Sequence, residues 1–479
     1  MQSKRDQVQA HVFLMSRLTS GMLLADPDAS ENPLGRTTRG TVFGVVICVL
    51  VAAGAFVFGL VKPGGHQLSG KTLIVNQETG SRYLFADGRL RPVRNYASAL
   101  LIGGDKLKTD TVRTASLRGK PVGTPVGIPG APDSVPGRKD LATGAWQVCS
   151  VVNGSSSTAL MVGDPADGEQ LGAGQGLIVV GPDMATTYLV WQGHRLRIKD
   201  GSAAASLGYG SVMPRPVSAA FLAALVPGPD LAPPDVPGRG EEGLQLGGRD
   251  SKVGQVFQVR IPGSPAKYYL LKRQGLVPIT DTQTALVLGD PVTREEAYGG
   301  ASPEPAVIGA VVLQDGKAPG DEGWDMATGL PPSPPRAVAV PDSRSACVRV
   351  QPGSALRVTT ELVPVSALQP VAQADPTEVE PSCILMDRVI VRPGHGVLVR
   401  ALAAGGRAIG DTTYLVSDNG VKYRVPSREA LKALGYANIE AQPLPSMLLS
   451  MLASGPDLSR EAASLGQRGA ISGACARER

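Results

Sequence analysis

The longest uninterrupted apolar stretch of the chain runs from Gly40 to Val61 and reads GTVFGVVICVLVAAGAFVFGLV. A helix rises about 1.5 Å per residue, so this stretch is long enough to cross a hydrocarbon layer of about 30 Å. Arg36 and Arg39 precede it, and Lys62 and Pro63 follow it. A buried core helix is usually shorter and carries some polar residues, so the pattern predicts a single transmembrane helix over 40–61.

A second apolar pattern lies in the leading segment, 1–39. Residues 3–24 are predicted to form a helix, which the sequence Asp26-Pro27-Asp28 would end because proline cannot continue the hydrogen-bond ladder. Apolar side chains recur at three- and four-residue steps and give one stripe: Val8, Val12, Met15, Leu18 and Met22. Such a stripe either lies on a lipid surface or docks on another protein, and the pattern favours neither.

The chain contains internal sequence repeats downstream of the apolar helix. The segments Thr186–Val190 (TTYLV), Leu207–Tyr209 (LGY) and Gly228–Leu231 (GPDL) recur at Thr412–Val416, Leu434–Tyr436 and Gly455–Leu458. The offset is 226 residues for the first pair and 227 for the other two. Shorter versions of the unit surround Tyr83–Phe85 and Tyr269–Leu271. Each unit is predicted to form a strand, a tight turn at glycine, a second strand and a short helix.

Matches that keep their order and spacing predict a tandem duplication folded about a pseudo-twofold axis. The predicted fold class is α+β: a rod of four small β-β-α repeats around a central, mainly-β core. The predicted boundaries are 70–118, 181–235, 250–310 and 405–460 for repeats one to four, 119–180 and 311–404 for the two core halves, and 461–479 for a flexible tail.

Short Val, Ile and Leu runs separated by glycine and proline turns occupy the two core halves. They predict one sheet or barrel assembled from both halves, with strands at Val148–Val152, Ile178–Val180, Cys347–Val350 and Val389–Val391. The high counts of glycine (59) and proline (40) agree with many short elements.

The five cysteines bear on the compartment. Cys149 and Cys347 occupy equivalent places in the two core halves, so a pseudo-twofold axis would bring them together. A disulfide there would require an oxidising compartment, whereas two buried free thiols are the alternative. Cys48 lies in the apolar helix, and neither Cys383 nor Cys475 has a symmetry-related partner.

The side of the membrane on which each segment lies depends on this disulfide. The numbers of basic residues on the two sides of the apolar helix are nearly equal, so the positive-inside rule does not determine its orientation. The short leading segment and the disulfide together predict a cytoplasmic N-terminus and a long extracytoplasmic part, in the inner (plasma) membrane.

One short motif matches a nucleotide-binding pattern. Gly65, Gly70, Lys71 and Thr72 fit G-x-x-x-x-G-K-T, but that chemistry needs a strand before the loop and a helix after it. Here a membrane helix precedes the motif, and Leu73–Val75 is predicted to be a strand. The motif is therefore a weak candidate for ATP binding.

Other chemistry leaves little trace in the sequence. The formal net charge of +5 is spread along the chain without a basic cluster with interleaved aromatic residues, which argues against nucleic-acid binding. The four histidines are scattered, no C-x-x-C occurs, and no nucleophile–histidine–carboxylate arrangement is visible. We predict no catalytic residue, metal site or cofactor.

Several stretches, in order along nearly the whole chain, resemble the EccB family of type VII (ESX) secretion systems. They are Arg5–Ala10 (RDQVQA), Asn32–Leu34 (NPL), Tyr83 with Asp87–Leu90 (DGRL), Asn95–Leu100 (NYASAL), Gly127–Asp133 (GIPGAPD) and Trp146–Cys149 (WQVC).

The resemblance implies a single-pass protein that assembles with an EccC-type motor ATPase, EccD, EccE and further EccB copies, for the export of small helical proteins. It implies that the apolar stripe docks on partners at the cytoplasmic face and that Cys149 and Cys347 form the family's core disulfide. Members have also been labelled ATPases, which this sequence fits poorly. Two alternatives to a structural role remain: an ATPase acting with the secretion complex, and a cell-wall-binding module.

Overall fold

The computed structural model describes residues 3–25, 33–61, 72–153, 155–261, 263–319, 329–353, 356–368, 379–403 and 408–471. The chain divides into two compact units. The first contains Met1–Gly70, Ile74–Ser81 and Asp110–Lys120, and the second contains Lys71–Leu73, Arg82–Thr109 and Pro121–Arg479.

The helices of the described residues are α1 Lys4–Leu24, α2 Pro33–Val61, α3 Tyr96–Gly103, α4 Thr114–Leu117, α5 Gly201–Ser206, α6 Ala219–Ala224, α7 Asp281–Leu288, α8 Pro291–Tyr298, α9 Ala310–Gly316, α10 Arg428–Ala433, α11 Ser446–Leu449 and α12 Arg460–Leu465. The strands of the N-terminal half are β1 Thr72–Asn76, β2 Arg82–Ala86, β3 Arg89–Pro92, β4 Lys108–Val112, β5 Trp146–Asn153, β6 Ser155–Met161, β7 Glu169–Gln170, β8 Gln175–Val180, β9 Thr187–Trp191, β10 His194–Arg197, β11 Arg215–Pro216 and β12 Val226–Pro227. Those that follow are β13 Val256–Val259, β14 Lys267–Lys272, β15 Gly275–Ile279, β16 Ala306–Ile308, β17 Arg336–Ala337, β18 Arg344–Gln351, β19 Arg357–Pro364, β20 Arg388–Ile390, β21 Val397–Leu402, β22 Ala408–Val416, β23 Val421–Val425, β24 Gln442–Pro445 and β25 Ala453–Ser454.

Two helices begin the first unit. Ser3 caps α1, because its hydroxyl accepts the backbone N–H of Asp6 while the Asp6 carboxylate accepts the N–H of Ser3. The predicted helix over 3–24 is therefore confirmed. Helix α2 begins before the predicted apolar segment, at Pro33, since proline is well suited to a first helical position. Within it, Thr37–Phe58 is the one stretch of the described residues that is long and apolar enough to cross a membrane.

The centre of the second unit is a six-stranded sheet with the order β20-β6-β5-β18-β19-β7. Its middle strands β5 and β18 are antiparallel, and Cys149 lies directly opposite Cys347. Each middle strand is flanked by the strand that forms a hairpin with it, β6 or β19. The sheet thus combines strands from both predicted core halves. Its outer strands differ, because β20 is parallel to β6 whereas β7 is antiparallel to β19.

The structure corrects the place of one predicted core strand. Ile178–Val180 belongs to β8, which lies in a separate sheet of order β11-β8-β9-β10-β12, with β17 also paired to β8. The equivalent strand β21 likewise lies in a small sheet, of order β24-β21-β22-β23-β25, and not in the central sheet. In each of these two sheets, three consecutive antiparallel strands (β8–β10 or β21–β23) precede a short helix, where two strands had been predicted. A strand buried on both faces shows an unbroken apolar run, so its sequence does not tell which sheet it joins.

The largest apolar cluster lies between the central sheet and these two small sheets. It contains Trp146, Val148 and Val348 from the central sheet, Leu177 and Val179 from β8, and Val397 and Val399 from β21. Helices α6 and α11 contribute Phe221 and Leu448. Both small sheets are consequently anchored on one face of the central sheet by burial of apolar surface.

The other two predicted repeats contact these small sheets through helices. Helix α7 follows β15 of the sheet β15-β14-β13-β16 and packs against α5. The contact is so close that a Cβ atom on Gly289 would lie 2.2 Å from Cβ of Ser206. Helix α3 follows the β2–β3 hairpin and packs against α10 and α12.

The C-terminal segment differs from the flexible tail predicted over 461–479. Residues Arg460–Leu465 form α12, which Ser459 caps. Ala463 is fully buried, and its carbonyl oxygen accepts the backbone N–H of Gly127 at 2.8 Å. The sequence does contain a helix-start signal that the prediction missed. Ser459 is a favourable N-cap residue, and Glu461 follows it in the first turn. Residues 472–479 lie outside the described part of the chain.

Candidate functional site

The apolar stripe predicted on α1 is open to solvent. The exposed fraction is 62% for Val8, 61% for Val12, 53% for Met15, 58% for Leu18 and 81% for Met22. Phe13, Leu14 and Leu23 are similarly exposed, so the apolar surface is wider than the predicted stripe. The Arg17 guanidinium lies 5.8 Å from the centre of the Phe13 ring. An apolar helix surface of this breadth can bury itself against lipid or a partner.

The predicted disulfide between Cys149 and Cys347 is present and closes a sequence separation of 198 residues. The Cα atoms of the two cysteines are 4.1 Å apart, and both side chains are fully buried. The bond joins β5 to β18 in the middle of the central sheet. Cys383 is disulfide-bonded as well, and Cys475 lies outside the described residues.

Two buried tyrosine hydroxyls join the halves of the second unit. The Tyr209 hydroxyl donates to the carbonyl oxygen of Pro335 at 2.7 Å, and the Tyr436 hydroxyl donates to that of Pro136 at 2.7 Å. The two tyrosines end the matching LGY segments. Each half therefore supplies a tyrosine that binds the chain of the other half.

The segments that carry these two prolines also add backbone pairing across the halves. Residues Arg336 and Ala337 pair in parallel with Gln175 and Gly176 of β8. In the opposite direction, the N–H of Ala142 donates to the carbonyl oxygen of Gly396 at 2.8 Å. Gly176 precedes the apolar part of β8, and Gly396 precedes that of β21. The two backbone contacts between the halves therefore lie at corresponding positions.

An ion pair joins the third strand of each of the two small sheets to the GPDL segment beside it. Arg197 pairs with Asp230, and Arg424 pairs with Asp457 at 3.0 Å. Because Asp230 accepts its hydrogen bonds, the pKa of Arg197 is raised. The arginine carbonyls accept the N–H groups of Leu231 and Leu458, which places both GPDL segments beside the third strand of their sheets.

In each of these sheets a basic side chain of the third strand donates hydrogen bonds to the C-terminal end of a short helix. The Lys422 ammonium donates to the carbonyl oxygens of Leu449 at 2.6 Å and Leu452 at 3.0 Å, and burial lowers the pKa of Lys422 to about 8. Arg195 occupies the corresponding position and donates to the carbonyl oxygen of Leu222. Both cations bind carbonyl oxygens in the last turn of a helix, where a positive charge is favourable.

The nucleotide-binding candidates are described only in part. Gly65, Gly70 and Lys71 lie outside the described residues, whereas Thr72 is the buried first residue of strand β1. A phosphate-binding loop needs a helix N-terminus at this point, so the local structure differs from that motif. In the described part of the chain, no group of three or more His, Cys, Asp or Glu side chains is placed to hold a metal ion.

The chain matches, over residues 1–471, the family described as type VII secretion system ESX-1, transport transmembrane domain B, EccB. This chain belongs to the EccB family. It is 28% identical over 474 residues to the ESX-3 secretion system ATPase EccB3 of Mycolicibacterium smegmatis, covering 95% of this chain and 89% of the relative. It is 27% identical over 487 residues to the ESX-1 secretion system ATPase EccB1 of Mycobacterium tuberculosis, covering 96% and 94%.

Solved chains from ESX complexes share the fold. The EccB3 dimer from the ESX-3 core complex matches with a TM-score of 0.63 and 25% identity, over 82% of this chain and 99% of that chain. A chain of an intact ESX-5 inner membrane complex matches with a TM-score of 0.65 over 97% of this chain and 95% of that chain. At 24% identity, the second likeness shows the fold alone.

Sequence reasoning missed several residues that hold this EccB chain together. The LGY matches singled out Tyr209 and Tyr436, but nothing in the pattern linked them to Pro335 and Pro136. The buried Lys422 was also missed, since a lysine in an alternating strand usually indicates a solvent-facing position.

Proposed function

We propose that this EccB protein is a structural and assembly component of a type VII secretion membrane complex. It anchors and stabilises the complex and forms its extracytoplasmic part, while a partner supplies the energy to export small helical proteins. The observation that carries the proposal is the family match over residues 1–471, together with a fold shared with the EccB3 dimer of the ESX-3 core complex and with a chain of an ESX-5 inner membrane complex. The interlocked second unit has the construction expected of a scaffold.

The proposed topology is a single pass with the first 39 residues in the cytoplasm and the second unit outside. The Cys149–Cys347 disulfide supports this topology, because such bonds persist in oxidising compartments. In the cytoplasm, the apolar stripe Val8, Val12, Met15, Leu18 and Met22 would dock on the partners, an EccC-type ATPase, EccD and EccE. Further EccB copies are expected as well, since a solved relative is an EccB3 dimer.

The proposed organisation of the second unit is a tandem duplication about a pseudo-twofold axis between β5 and β18. The reciprocal Tyr–Pro hydrogen bonds support it, as do the two Arg–Asp ion pairs and the two cation-capped helices. Under this proposal the repeats at 70–118, 181–235, 250–310 and 405–460 have one ancestor. Repeats two and four also include the preceding strands β8 and β21.

The relatives from ESX-3 and ESX-1 are named as secretion system ATPases, so we also give a direct test of intrinsic hydrolysis. Lys71→Ala removes the one lysine of the P-loop-like motif. The scaffold proposal expects unchanged assembly and an unchanged background of ATP hydrolysis in the purified chain. Loss of a measurable hydrolysis rate with normal assembly would instead assign the activity to this motif.

The scaffold role is tested by extracting the tagged full chain from native membranes in mild detergent, followed by native gel and mass spectrometry. We expect a large complex that contains a multi-domain ATPase and a multi-spanning protein. A matched extraction of a Val12→Asp/Met15→Asp variant should lose partners while the second unit stays folded. A wild-type chain that is recovered only as a monomer or dimer would contradict the proposal.

A further inference from the structure

The basic charge of the chain is concentrated more strongly than its sequence first indicated. Residues 82–109, from β2 to the start of β4, contain six basic and two acidic residues, a net charge of +4. The corresponding span of the third repeat, 267–308, contains four basic and five acidic residues, a net charge of −1. The excess is therefore a property of this first hairpin and helix rather than of the repeated unit.

Three arginines of this region lie along one edge, and we call Arg89, Arg91 and Arg94 the β3 arginine row. All three flank the segment 121–127, which hydrogen-bonds to β3 through the N–H of Gly123 and the carbonyl oxygen of Leu90 at 2.9 Å. A Cβ on Gly123 would lie 3.0 Å from Cγ of Arg91 and 3.6 Å from Cβ of Arg89. A Cβ on Gly127 would lie 3.0 Å from Cβ of Arg94.

The charges of the row are not neutralised within the described residues. Arg89 and Arg94 are exposed and make no ion pair there. Arg91 donates to the backbone carbonyl of Thr124 at 3.2 Å and to its hydroxyl at 3.1 Å, which fixes the side chain without a countercharge. Asp87, in the turn before β3, is the acidic residue nearest in sequence. By contrast, Arg197 and Arg215 of the second repeat are both in ion pairs.

Val122 lies beside the row but on the other face of the strand. It pairs with Leu90, so its side chain points away from the face that carries Arg89, Arg91 and Gly123, and its exposed fraction is 63%. Exposed arginines suit a membrane interface, where the cations meet the phosphate groups of the lipids. Arginine is particularly suited to this role because its guanidinium can bind a phosphate through two parallel hydrogen bonds.

A short stretch of chain connects this region to the apolar helix α2. Residues 62–71 connect the end of α2 to the start of β1, and a chain of this length extends at most about 40 Å. The membrane that α2 crosses is therefore the phosphate-bearing surface to which this region is covalently tethered. Tethering at such a distance greatly raises the effective concentration of the headgroups around the row.

We propose that the β3 arginine row binds the phosphate groups of anionic lipids in the membrane that α2 crosses. The occupant is the lipid surface, and its binding holds the first repeat against the bilayer. This inference depends on α2 crossing the membrane and not on the secretion role. Lipid binding can therefore be disproved while the secretion role stands, and the secretion role can be disproved while lipid binding stands.

The test uses the full chain in nanodiscs of phosphatidylcholine alone or of phosphatidylcholine with phosphatidylglycerol. Val122→Cys in a Cys48→Ala background carries a fluorophore, and nitroxide on the lipid headgroups quenches it on contact. The Cys48→Ala chain without the Val122→Cys substitution, treated with the same fluorophore, measures the background labelling. Arg89→Gln/Arg94→Gln removes two charges and leaves Arg91, which holds Thr124. Lys252→Gln/Lys267→Gln removes two exposed charges from the third repeat as the matched control.

We expect strong quenching with phosphatidylglycerol and weak quenching with phosphatidylcholine alone. The ratio of lipid-bound to free states should fall about fivefold for each arginine neutralised, and should not change in the lysine control. High salt should remove the difference between the two lipids. Equal quenching in both lipids, or no effect of the arginine variant, would overturn the proposal.

Two further measurements distinguish lipid binding from binding of a soluble anion or of a protein. Millimolar inorganic phosphate that abolishes quenching would reassign the row to a small soluble anion and overturn the lipid proposal. Loss of a protein partner from the extracted complex in the arginine variant, with unchanged quenching, would overturn it in favour of a protein surface. A circular-dichroism melting curve that matches the parent chain establishes that the variant is folded.

Discussion

The hydroxyl of Tyr436 donates a hydrogen bond of 2.7 Å to the carbonyl oxygen of Pro136, which lies 300 residues earlier in the chain. Tyr209 makes the same bond to Pro335 in the opposite direction along the sequence. Because each half of the second unit supplies one donor and one acceptor, neither half completes its own hydrogen bonds alone. The two halves are expected to unfold together as one cooperative structure.

Removing either hydroxyl should weaken this junction. Tyr209→Phe and Tyr436→Phe each leave a buried proline carbonyl without its donor, which should lower the free energy of unfolding by about 1–3 kcal/mol. Chemical denaturation of the full chain in detergent, followed by circular dichroism, measures the change. Tyr83→Phe is the matched control, since the Tyr83 hydroxyl makes no hydrogen bond within the described residues. Similar small losses in all three variants would contradict the interpretation.

The disulfide should be a large contributor to the stability of the second unit. Cys149→Ala/Cys347→Ala opens a cross-link that spans 198 residues, and the longer the loop, the more entropy the unfolded chain regains. We expect a loss of about 3–5 kcal/mol and a lower melting temperature under oxidising conditions. Cys48→Ala, in the membrane helix, should leave the melting temperature of this unit unchanged. An unaltered melting temperature in the double variant would show that the bond contributes little.

The contact between α5 and α7 should tolerate no additional carbon. Gly289→Ala places a Cβ 2.2 Å from Cβ of Ser206, so one of the two helices must shift, at a cost of about 1–3 kcal/mol. Ser206→Gly in the same chain should restore most of this stability, because it removes the atom that the new methyl group meets. Gly309→Ala is the control, as no atom lies within 4 Å of its added Cβ. Thermal unfolding of the three variants tests the contact, and the absence of rescue would argue against it.

Lys422 should make stability depend on pH in the alkaline range. Burial lowers the pKa of Lys422 to about 8 in the folded chain, whereas the unfolded value is 10.5. Between these values the unfolded chain binds a proton that the folded chain has lost, so stability should rise from pH 8 towards pH 10. The increase should be about 1.4 kcal/mol per pH unit at most.

Comparison of the wild type with Lys422→Met isolates this dependence, because the variant should lack the alkaline rise. Lys432→Met, at an exposed position, should keep it. Measurements should stop near pH 10, since burial raises the pKa of Tyr209 to about 12 and raises that of Tyr436. These tyrosines ionise first in the unfolded chain, so above pH 10 they reduce stability. A flat profile for the wild type between pH 8 and pH 10 would contradict the assignment to Lys422.

The sequence by itself determined the features that depend on local pattern or on self-similarity. An uncharged apolar run of sufficient length can bury itself only in a membrane or a large core, which determined α2. Hydrophobic periodicity and the proline-containing stop at residues 26–28 determined α1. The places of Cys149 and Cys347 in the two predicted core halves indicated that they correspond, and their predicted pairing is present in the structure.

The tertiary structure alone decided which strands share a sheet and which residues meet across the halves. Ile178–Val180 is apolar throughout because both of its faces are buried, and such a run carries no information about its neighbours. The Tyr436–Pro136 and Lys422–Leu449 bonds join residues with no common motif, and a backbone carbonyl acceptor leaves no trace in a sequence. The alignment of Arg89, Arg91 and Arg94 along segment 121–127 likewise exists only once the chain folds back on β3. Contacts of this kind depend on the path of the whole chain, which local propensity does not specify.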